Sequence, residues 1–557
     1  MGVLRRWLPV LAWVPAYRRE DLPGDLVAGV TGAAILVPQS MAYARIAGLP
    51  PVVGLYASVV PIFVYALFGR SRQLSVGPLA TISIMAAATV GGLAATGSHR
   101  YVELMATLAV LVGLVHLFLG FGRLGFLMRF LSEPVMSGFI SAVGLIIIAT
   151  QLAPLFGLRV PDRDLFHQTV WEWVTHLDQT SLTTLSLSAV AIAILMISRR
   201  WRHVPVALLL LVASTALSAL LDLKAYGVAV VGPVPSGLAG PRIPPFDLDL
   251  IGALLPIAIT ITFVGFLESI TLARQYAAKH DYAIDTNQEL VALGMTNASA
   301  GLFQGMIVTG AVTRSSILDE AGARTQLSGV IAGVIVVPLL LLFTGAFSDI
   351  PLAILAAIVV VAVLGFLKLP EAGRLWRVKR SDFWIMVLTF VATVALGLER
   401  GVIVAVVASV VVLVYRAMQP GVVVLGRRPG TDALLNAARF DGLATYPGTL
   451  IIRVNAPLSF INAEAFEHRM QRLEGEVGDL HTVVIDASGI DDLDATADHA
   501  LRRTIGGYRQ RGIDVSIVNV NTGVRDVMEA SGLAALVGAD RFFATDADAI
   551  AHLDRRP

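Results

Sequence analysis

The chain has 557 residues, of which 56% are hydrophobic and only 15% are charged, and its formal net charge is +1. Soluble globular proteins do not have this composition, which is typical of a polytopic membrane protein. The near-neutral charge argues against a nucleic-acid partner. The absence of cysteine excludes disulfides and thiolate metal sites.

Residues 1–23 form a short segment ahead of the first apolar stretch. The segment is rich in arginine, and its apolar run is broken by tryptophan and proline. It lacks the apolar core and small-residue cleavage site of a signal peptide. We therefore expect this segment to lie on the cytoplasmic surface of the membrane.

Apolar segments over residues 24–416 predict a transmembrane domain with fourteen spans, two of them short. When the N-terminus is placed inside, the inner loops carry roughly three times as many Lys and Arg residues as the outer loops. This asymmetry predicts that both termini are cytoplasmic. The predicted spans are 24–46, 50–68, 76–92, 101–121, 134–153, 183–199, 204–222, 250–277, 288–304, 311–321, 324–344, 350–368, 383–398 and 399–416.

The two halves of this domain, at about 24–222 and 250–416, resemble one another. Val37–Arg45 aligns with Phe266–Arg274, which places Gln39 on Glu268. Because each half has seven spans, an odd number, the halves have opposite orientations. Inverted repeats with discontinuous helices that meet at the midplane are typical of transporters.

A half-helix is predicted in the second repeat. Gly305–Thr309 is β-branched and bounded by glycine, which favours an extended backbone, and Ala311–Ala321 follows as a short helix. Such a helix is about 16 Å long, roughly half of a bilayer core of about 30 Å. Its unpaired N–H groups would lie at the bilayer centre, where they are tolerated only beside a cavity or a ligand.

The first repeat offers a matching half-helix, since Val76-Gly-Pro78 aligns with Thr309-Gly-Ala311. Pro78 suits the first helical position, and the run from Pro78 to Val90 is about 20 Å long, too short to cross. Two such N-termini pointing at one place would favour a small anion. Alternatively, both segments are spans kinked at glycine.

The residues around this junction form the candidate site. Gln39 and Tyr43 lie four apart on one helix face and can both donate to an anion, although Gln39 could instead make an inter-helix contact. Arg314 lies near a helix N-terminus and therefore needs an anionic neighbour, which is either the substrate or a carboxylate, and Glu268 is the natural carboxylate. This pair could couple protons and balance charge, or it could be a structural salt bridge. The predicted substrate-binding residues are Gln39, Tyr43, Gly77, Leu79, Ala80, Gly310, Ala311, Val312 and Thr313.

Residues 417–557 predict a small soluble α/β domain, because strands alternate with helices. Neither a Gly-rich phosphate loop, a His cluster nor a nucleophile elbow occurs in it, so we predict no enzyme activity, no metal site and no cofactor. The predicted strands are Val422–Leu425, Leu450–Val454, Thr482–Asp486 and Val515–Val520, and the predicted helices are Ala463–Glu474, Ala495–Arg511 and Gly523–Ser531.

Together these motifs resemble the sulfate permease (SulP) family over nearly the whole chain, and the terminal domain resembles its STAS domain. The resemblance implies a seven-plus-seven inverted repeat with a core and a gate, an anion site between the third and tenth helices, and a homodimer. In bacterial and plant relatives, a glutamate at the position of Glu268 is associated with proton coupling. The motifs are Val37–Tyr43, Gly48–Tyr56, Ser75–Pro78, Pro134–Gly138, Asp285–Leu290 and Gly322–Gln326.

Two positions depart from the family pattern. STAS domains that act as anti-sigma antagonists carry a phosphorylated serine in an Asp-Ser-Ser-Gly turn. Here the turn reads Asp494-Ala-Thr-Ala497, with Thr496 at the serine position, which argues against a phosphorylation switch. Glu133 replaces the neutral or His residue expected before Pro134.

These observations predict a secondary active anion transporter of the bacterial inner membrane that takes up a small anion with a proton as it alternates between inward and outward access. Sulfate, bicarbonate, dicarboxylates and halides all suit two helix ends. The alternatives are an uncoupled anion channel, an anion exchanger and a sensor that signals through the STAS domain. A nucleobase carrier shares the architecture, but the motifs favour the sulfate permease family.

Overall fold

A computed structural model describes residues 7–126, 133–158, 160, 165–198, 206–232, 237–342 and 344–555. Residues 1–6 of the predicted N-terminal segment lie outside this part of the chain, as do position 343 and the facing ends of predicted spans 183–199 and 204–222. The chain divides into two compact units, Met1–Ser409 and Val410–Pro557, which are described separately below.

Helices account for most of the first unit. Its first half contains α1 (Val10–Trp13), α2 (Leu22–Ile46), α3 (Pro51–Tyr56), α4 (Val60–Phe68), α5 (Ala80–Gly91), α6 (His99–Phe121), α7 (Glu133–Phe156), α8 (Phe166–Thr175), α9 (Leu182–Ser198) and α10 (Val206–Leu221). The later helices are α11 (Leu248–Lys279), α12 (Thr286–Leu302), α13 (Val312–Glu320), α14 (Leu327–Leu342), α15 (Leu352–Val363), α16 (Leu369–Val378), α17 (Arg380–Leu396) and α18 (Leu398–Ala417), the last of which continues into the second unit.

Each predicted span has a helical counterpart, and six helices in the described part of the chain are long and apolar enough to cross a membrane. The span predicted at 50–68 is broken into α3 and α4. Ser58 stabilises the break, because its hydroxyl donates to Gly54 O at 2.8 Å and to the Ser40 hydroxyl at 2.7 Å. Pro61 then occupies the first turn of α4. Helices α8 and α16 were not predicted.

The helices of the first unit pack as two groups. Helices α2, α4, α6, α11, α12 and α14 pack mainly against one another, whereas α7, α9, α10, α15 and α17 form a second set. The groups meet where α2 contacts α10 and α15. We call them the core group and the gate group, after the division that the family resemblance implied.

Two short strands mark the junction of the repeats. Strand β1 (Val76–Gly77) pairs antiparallel with β2 (Thr309–Gly310), with Val76 opposite Gly310 and Gly77 opposite Thr309. Because Val76 is the repeat equivalent of Thr309, this register is the one that a two-fold axis between the strands requires. Helices α5 and α13 follow the strands and span about 18 and 14 Å, which confirms both half-helices.

The second unit is an α/β domain with a six-stranded sheet of order β4-β3-β5-β6-β7-β8. Val483 and Ile485 face one hydrophobic core and Val484 faces another, as alternation along a strand requires. Strands β4 and β8 and helices α22 and α23 were not predicted. The elements are β3 (Val422–Arg427), β4 (Leu434–Asn436), β5 (Thr449–Val454), α19 (Ala463–Glu476), β6 (Thr482–Asp486), α20 (Ala495–Gln510), β7 (Asp514–Val518), α21 (Thr522–Ser531), α22 (Leu533–Val537), β8 (Phe542–Phe543) and α23 (Asp546–Asp554).

Helices α6 and α12 are in such close contact at Gly113 that one added methyl group there should lower the stability of the protein. A Cβ added at Gly113 would lie 2.6 Å from Ala298 N and 2.8 Å from Gly294 O. Both are backbone atoms, so a side-chain rotation cannot relieve the clash. We expect Gly113→Ala to destabilise the protein by about 1–3 kcal/mol, measured as a lower melting temperature in detergent. Gly91→Ala is the control, because open space surrounds Gly91; equal melting of the two variants would contradict this packing.

Candidate anion-binding site

Side chains from α11 and α12 complete the hydrogen bonding of the extended backbone before α13. The Asn297 side chain donates to Val308 O and accepts from Val308 N, both at 2.9 Å. The Ser269 hydroxyl accepts from Gly310 N at 2.9 Å and contacts the Thr309 hydroxyl at 2.7 Å. These bonds supply what a neighbouring strand would otherwise provide, so the extended segment is fixed inside the bundle.

The two repeats are joined directly on the other side of the junction. Ala311 N donates to Ser75 O at 3.0 Å, and the Ser315 hydroxyl accepts from Ser75 N at 2.9 Å. The N–H groups of Gly310 and Ala311 are therefore already paired, and both residues are buried. These N–H groups hold the junction, and the substrate-binding role of the two residues stays a prediction.

The first turns of α5 and α13 retain free donor capacity. Leu79 and Ala311 are the N-cap residues and have extended backbone conformations, and neither side chain caps its helix. The first N–H groups of each helix have no intrahelical acceptor. Val312 is 51% exposed and Thr313 is also exposed, so the start of α13 is open to a ligand.

Arg314 links α13 to the first repeat. Its Nη1 donates to Pro78 O at 2.9 Å and to Gln39 Oε1 at 3.4 Å. The guanidinium also lies against Gly77, where an added Cβ would be 3.0 Å from Nη2. Arg314 is 1% exposed, and its Nε and Nη2 atoms have no hydrogen-bond partner in the described part of the chain. The side chain thus brings a cation with unused donors to the junction.

Glu268 and Arg314 form no salt bridge in the described part of the chain, so the structural alternative is not seen and the predicted role in coupling and charge balance stays a prediction. Among the described residues, no carboxylate lies within 4.0 Å of the Arg314 guanidinium, because that group turns towards Pro78 and Gln39. The main electrostatic partner of Glu268 is Lys368, in the loop after α15. Its buried Oε2 atom has no hydrogen-bond partner among these residues. The acid and the cation are therefore separate features.

The other predicted residues occupy buried positions around Arg314. Gln39 contacts Arg314 as described, and Tyr43 interacts with it electrostatically. Gly77, Leu79 and Ala80 are buried at β1 and the start of α5. The structure thus brings these five residues together near Arg314, whereas Val312 and Thr313 are exposed at the start of α13.

Sequence reasoning missed four residues near the junction. Ser269 and Asn297 position the extended backbone, and the hydroxyl oxygens of Thr81 and Ser83 in α5 are buried without a partner in the described part of the chain. One signal was available for Ser269, since it follows Glu268 as Ser40 follows Gln39 in the repeat alignment. Asn297 is a buried polar residue of α12 next to Thr296, which is also buried.

Comparison with known families identifies the chain. The sulfate permease family model matches residues 22–389, and the STAS domain model matches residues 443–549. The chain belongs to the sulfate permease family. The resemblance drawn from its motifs is therefore confirmed, as is the helical transporter fold with a C-terminal STAS domain.

Relatives of this sulfate permease family member span its whole length. A probable sulfate transporter of Mycobacterium tuberculosis is 36% identical over 552 residues, which cover 99% of this chain and 98% of that protein. Sulfate transporter 4.1, chloroplastic, of Arabidopsis thaliana is 35% identical and aligns over 97% of this chain and 82% of its own length. The chain therefore belongs to a family of anion transporters.

Solved structures agree with the architecture. The murine solute carrier 26 family member A9 anion transporter, in the inward-facing state, matches with a TM-score of 0.90 and 27% sequence identity. The match covers 99% of this chain and 95% of that transporter chain. The transmembrane domain of a cyanobacterium bicarbonate transporter has a TM-score of 0.61 and 25% identity, covering 71% of this chain and 98% of that chain.

The Asn297 bonds predict a specific loss of stability. Asn297→Ala would leave both backbone groups of Val308 buried and unpaired, which should cost about 2 kcal/mol or more. We expect a lower melting temperature in detergent and reduced anion transport by the part of the variant protein that remains folded. Asn287→Ala is the control, because Asn287 makes a single half-buried bond, from Gly125 N at 3.1 Å. If the control lost as much stability, Asn297 would have no special role.

The open start of α13 predicts a variant that blocks the site without unfolding it. Val312→Trp adds bulk to a half-exposed side chain and displaces no packed atoms. We expect an unchanged melting temperature and at least about a tenfold loss of anion uptake. Val334→Trp, at a position that is 55% exposed on α14, is the control. Normal transport by Val312→Trp would exclude this approach route for the anion.

Proposed function

We propose that the chain is a secondary active transporter that carries a small anion, such as sulfate, bicarbonate or a dicarboxylate, together with a proton. One observation carries the proposal: Arg314 is buried with two unused donor atoms beside the N-termini of two half-helices. Each helix end contributes roughly half a positive charge. An anion bound there would supply the negative charge that the protein itself does not place next to Arg314.

The proposed ligand contacts follow from the groups that remain free. Arg314 Nε and Nη2, the first N–H groups of α5 and α13, and the hydroxyls of Thr81 and Thr313 are donors suited to anion oxygens. Gln39 and Tyr43 line the same region. The relatives support the substrate class, because their names specify sulfate or bicarbonate transport.

Glu268 is the proposed coupling residue. It lies on α11 of the core group, whereas its electrostatic partner Lys368 follows α15 of the gate group. Lys368 is attached to the gate group, since its backbone N–H donates to the Ser141 hydroxyl of α7 at 3.0 Å. A rocking motion between the groups would change the field at Glu268 and hence its proton affinity. Reciprocal linkage would then couple proton uptake to the anion-bound conformation.

The setting of this activity is also part of the proposal. The transmembrane domain would comprise residues 24–416 and lie in a bacterial inner membrane as a homodimer with both termini in the cytoplasm. The cytoplasmic STAS domain would comprise residues 417–557. The sheet of this domain supports a domain start before residue 443, where the STAS family match begins, because its strand β3 already begins at Val422.

Glu268→Gln tests the coupling. The amide keeps the shape of the protonated acid but cannot exchange a proton, so uptake driven by an inward proton gradient should be abolished. Anion binding and anion–anion exchange should persist, because the amide leaves Arg314 unchanged. The measurement is labelled anion uptake into proteoliposomes with and without the gradient.

Glu529→Gln is the matched control, because Glu529 is an exposed carboxylate of the second unit that pairs with Arg525 on α21. It should accumulate anion as the wild-type protein does. Accumulation by Glu268→Gln in response to the gradient would show that Glu268 is structural. Loss of anion exchange as well would instead place Glu268 in the binding site.

A further inference from the structure

A second cationic site lies at the end of the membrane domain that we assign to the cytoplasm. A cavity of about 680 Å³ is bounded by the N-terminal segment and by the loops after α4, α11 and α13. We call it the arginine cavity, because four arginines line it together with aromatic side chains and one carboxylate, that of Asp21. The arginines are Arg18, Arg70, Arg72 and Arg324, and the aromatic residues are Trp13, Tyr17 and Tyr282.

The guanidinium groups that line the arginine cavity outnumber its carboxylates by four to one. In the described part of the chain, none of the four guanidinium groups has a carboxylate within 4.0 Å. Two buried carboxylates lie close by, but they accept backbone N–H groups instead. Asp25 accepts from Arg324 N at 2.8 Å, and Glu289 accepts from Arg70 N at 2.7 Å. The acids thus fix the backbone of two arginines and leave the side-chain charges available to a ligand.

The aromatic residues orient part of this charge. The Arg72 guanidinium stacks over the Tyr282 ring at 4.7 Å, and the Tyr282 hydroxyl accepts from Arg72 N at 3.2 Å. Stacking holds the planar guanidinium by its face and leaves its N–H edges to donate. Such an edge matches the oxygens of a phosphate, which arginine binds in a bidentate manner.

The surroundings of the cavity place it at the depth of lipid headgroups. Helix α2 begins at Leu22, and its exposed apolar side chains Leu22, Leu26 and Val27 mark the start of the lipid-facing surface. The N-terminal segment adds exposed Leu11 and Val14 and anchors itself through Trp13, whose Nε1 donates to Ala66 O at 3.1 Å. Apolar and aromatic residues beside arginines are typical of the membrane interface.

We propose that the arginine cavity binds the phosphate of an anionic phospholipid headgroup from the cytoplasmic leaflet. Its volume accommodates a headgroup, its excess charge is positive, and it opens beside a lipid-facing helix. Basic pockets on the cytoplasmic side of helix bundles are suited to such headgroups. This site is distinct from the anion-binding junction, whose cation is Arg314.

Occupancy of the cavity would act on the half-helices through its walls. The loop that carries Arg70 and Arg72 continues into Ser75 and β1. Gln73 in this loop donates to Ala323 O at 3.1 Å, and Gln326 donates to Gly69 O at 2.6 Å. The segments before α5 and after α13 are therefore tied together at the cavity, so a bound headgroup would restrain both half-helices.

Native mass spectrometry of the full-length protein in detergent tests the binding. Phosphatidylglycerol or phosphatidylcholine is titrated against the wild type and against the Arg72→Gln/Arg324→Gln double variant. We expect the affinity for phosphatidylglycerol to fall about tenfold in this variant and the weak binding of phosphatidylcholine not to change. The control is Arg377→Gln/Lys379→Gln, which removes the same charge from exposed positions and should bind phosphatidylglycerol as the wild type does.

Equal phosphatidylglycerol binding by the two double variants would overturn the proposal. Displacement of the lipid by millimolar inorganic phosphate would overturn it too, because the cavity would then be a site for soluble anions. Melting temperatures check that the variants are folded, and Arg18→Gln provides a second test at another exposed position. A separate transport experiment, which rests on the proposed function, compares anion uptake into vesicles with and without phosphatidylglycerol. The binding result stands even if no transport is found.

Discussion

Extended backbone inside an apolar bundle must have its N–H and C=O groups paired, and this requirement shapes the whole centre of the molecule. The chain meets it by joining the two repeats to each other through β1 and β2. Side chains complete the pairing where no neighbouring strand is present: Asn297 hydrogen-bonds to the backbone of Val308, and Ser269 accepts from the backbone N–H of Gly310. As a result, the N-termini of α5 and α13 start at fixed positions beside one another. A helix end that must hold an anion can be uncapped only because its preceding backbone is secured in this way.

The electrostatics of the junction follow from this arrangement. Arg314 is buried, and a cation at membrane depth is expensive, by roughly 3 kcal/mol or more. Its hydrogen-bond partners are a carbonyl and an amide oxygen, which offset part of the desolvation but carry no negative charge. The helix ends add positive potential rather than removing it. In the described part of the chain the protein therefore places no negative charge next to Arg314, which supports the proposal that an anion binds there.

Much of the fold could be predicted because long apolar runs, strand alternation and the repeat alignment are local signals. The half-helices were predicted from glycine, proline and β-branched residues next to a run too short to cross. Helices α8 and α16 and strands β4 and β8 were missed, since they are short elements defined by tertiary contacts. The repeat alignment could not decide whether Glu268 or the substrate is the anionic neighbour of Arg314, because it places residues near a symmetry axis but does not say which way a long side chain turns. Arg314 turns towards Pro78, so Glu268 is left with Lys368. Asn297 and Ser269 were missed because their role depends on backbone groups that are distant in sequence.

In the proposed mechanism, the division into two helix groups separates anion binding from proton coupling. Gln39, Pro78 and Arg314, which meet at the junction, belong to the core group or to the segments fixed to it, as do Ser269 and Asn297. Relative motion of the gate group would leave the distances among these residues unchanged. The interaction between Glu268 and Lys368 is different, because it acts between residues of the two groups. In the proposed mechanism, motion would alter the field at the acid without disturbing the anion contacts, so the anion site would move as a rigid body while the proton affinity of Glu268 changes with the state.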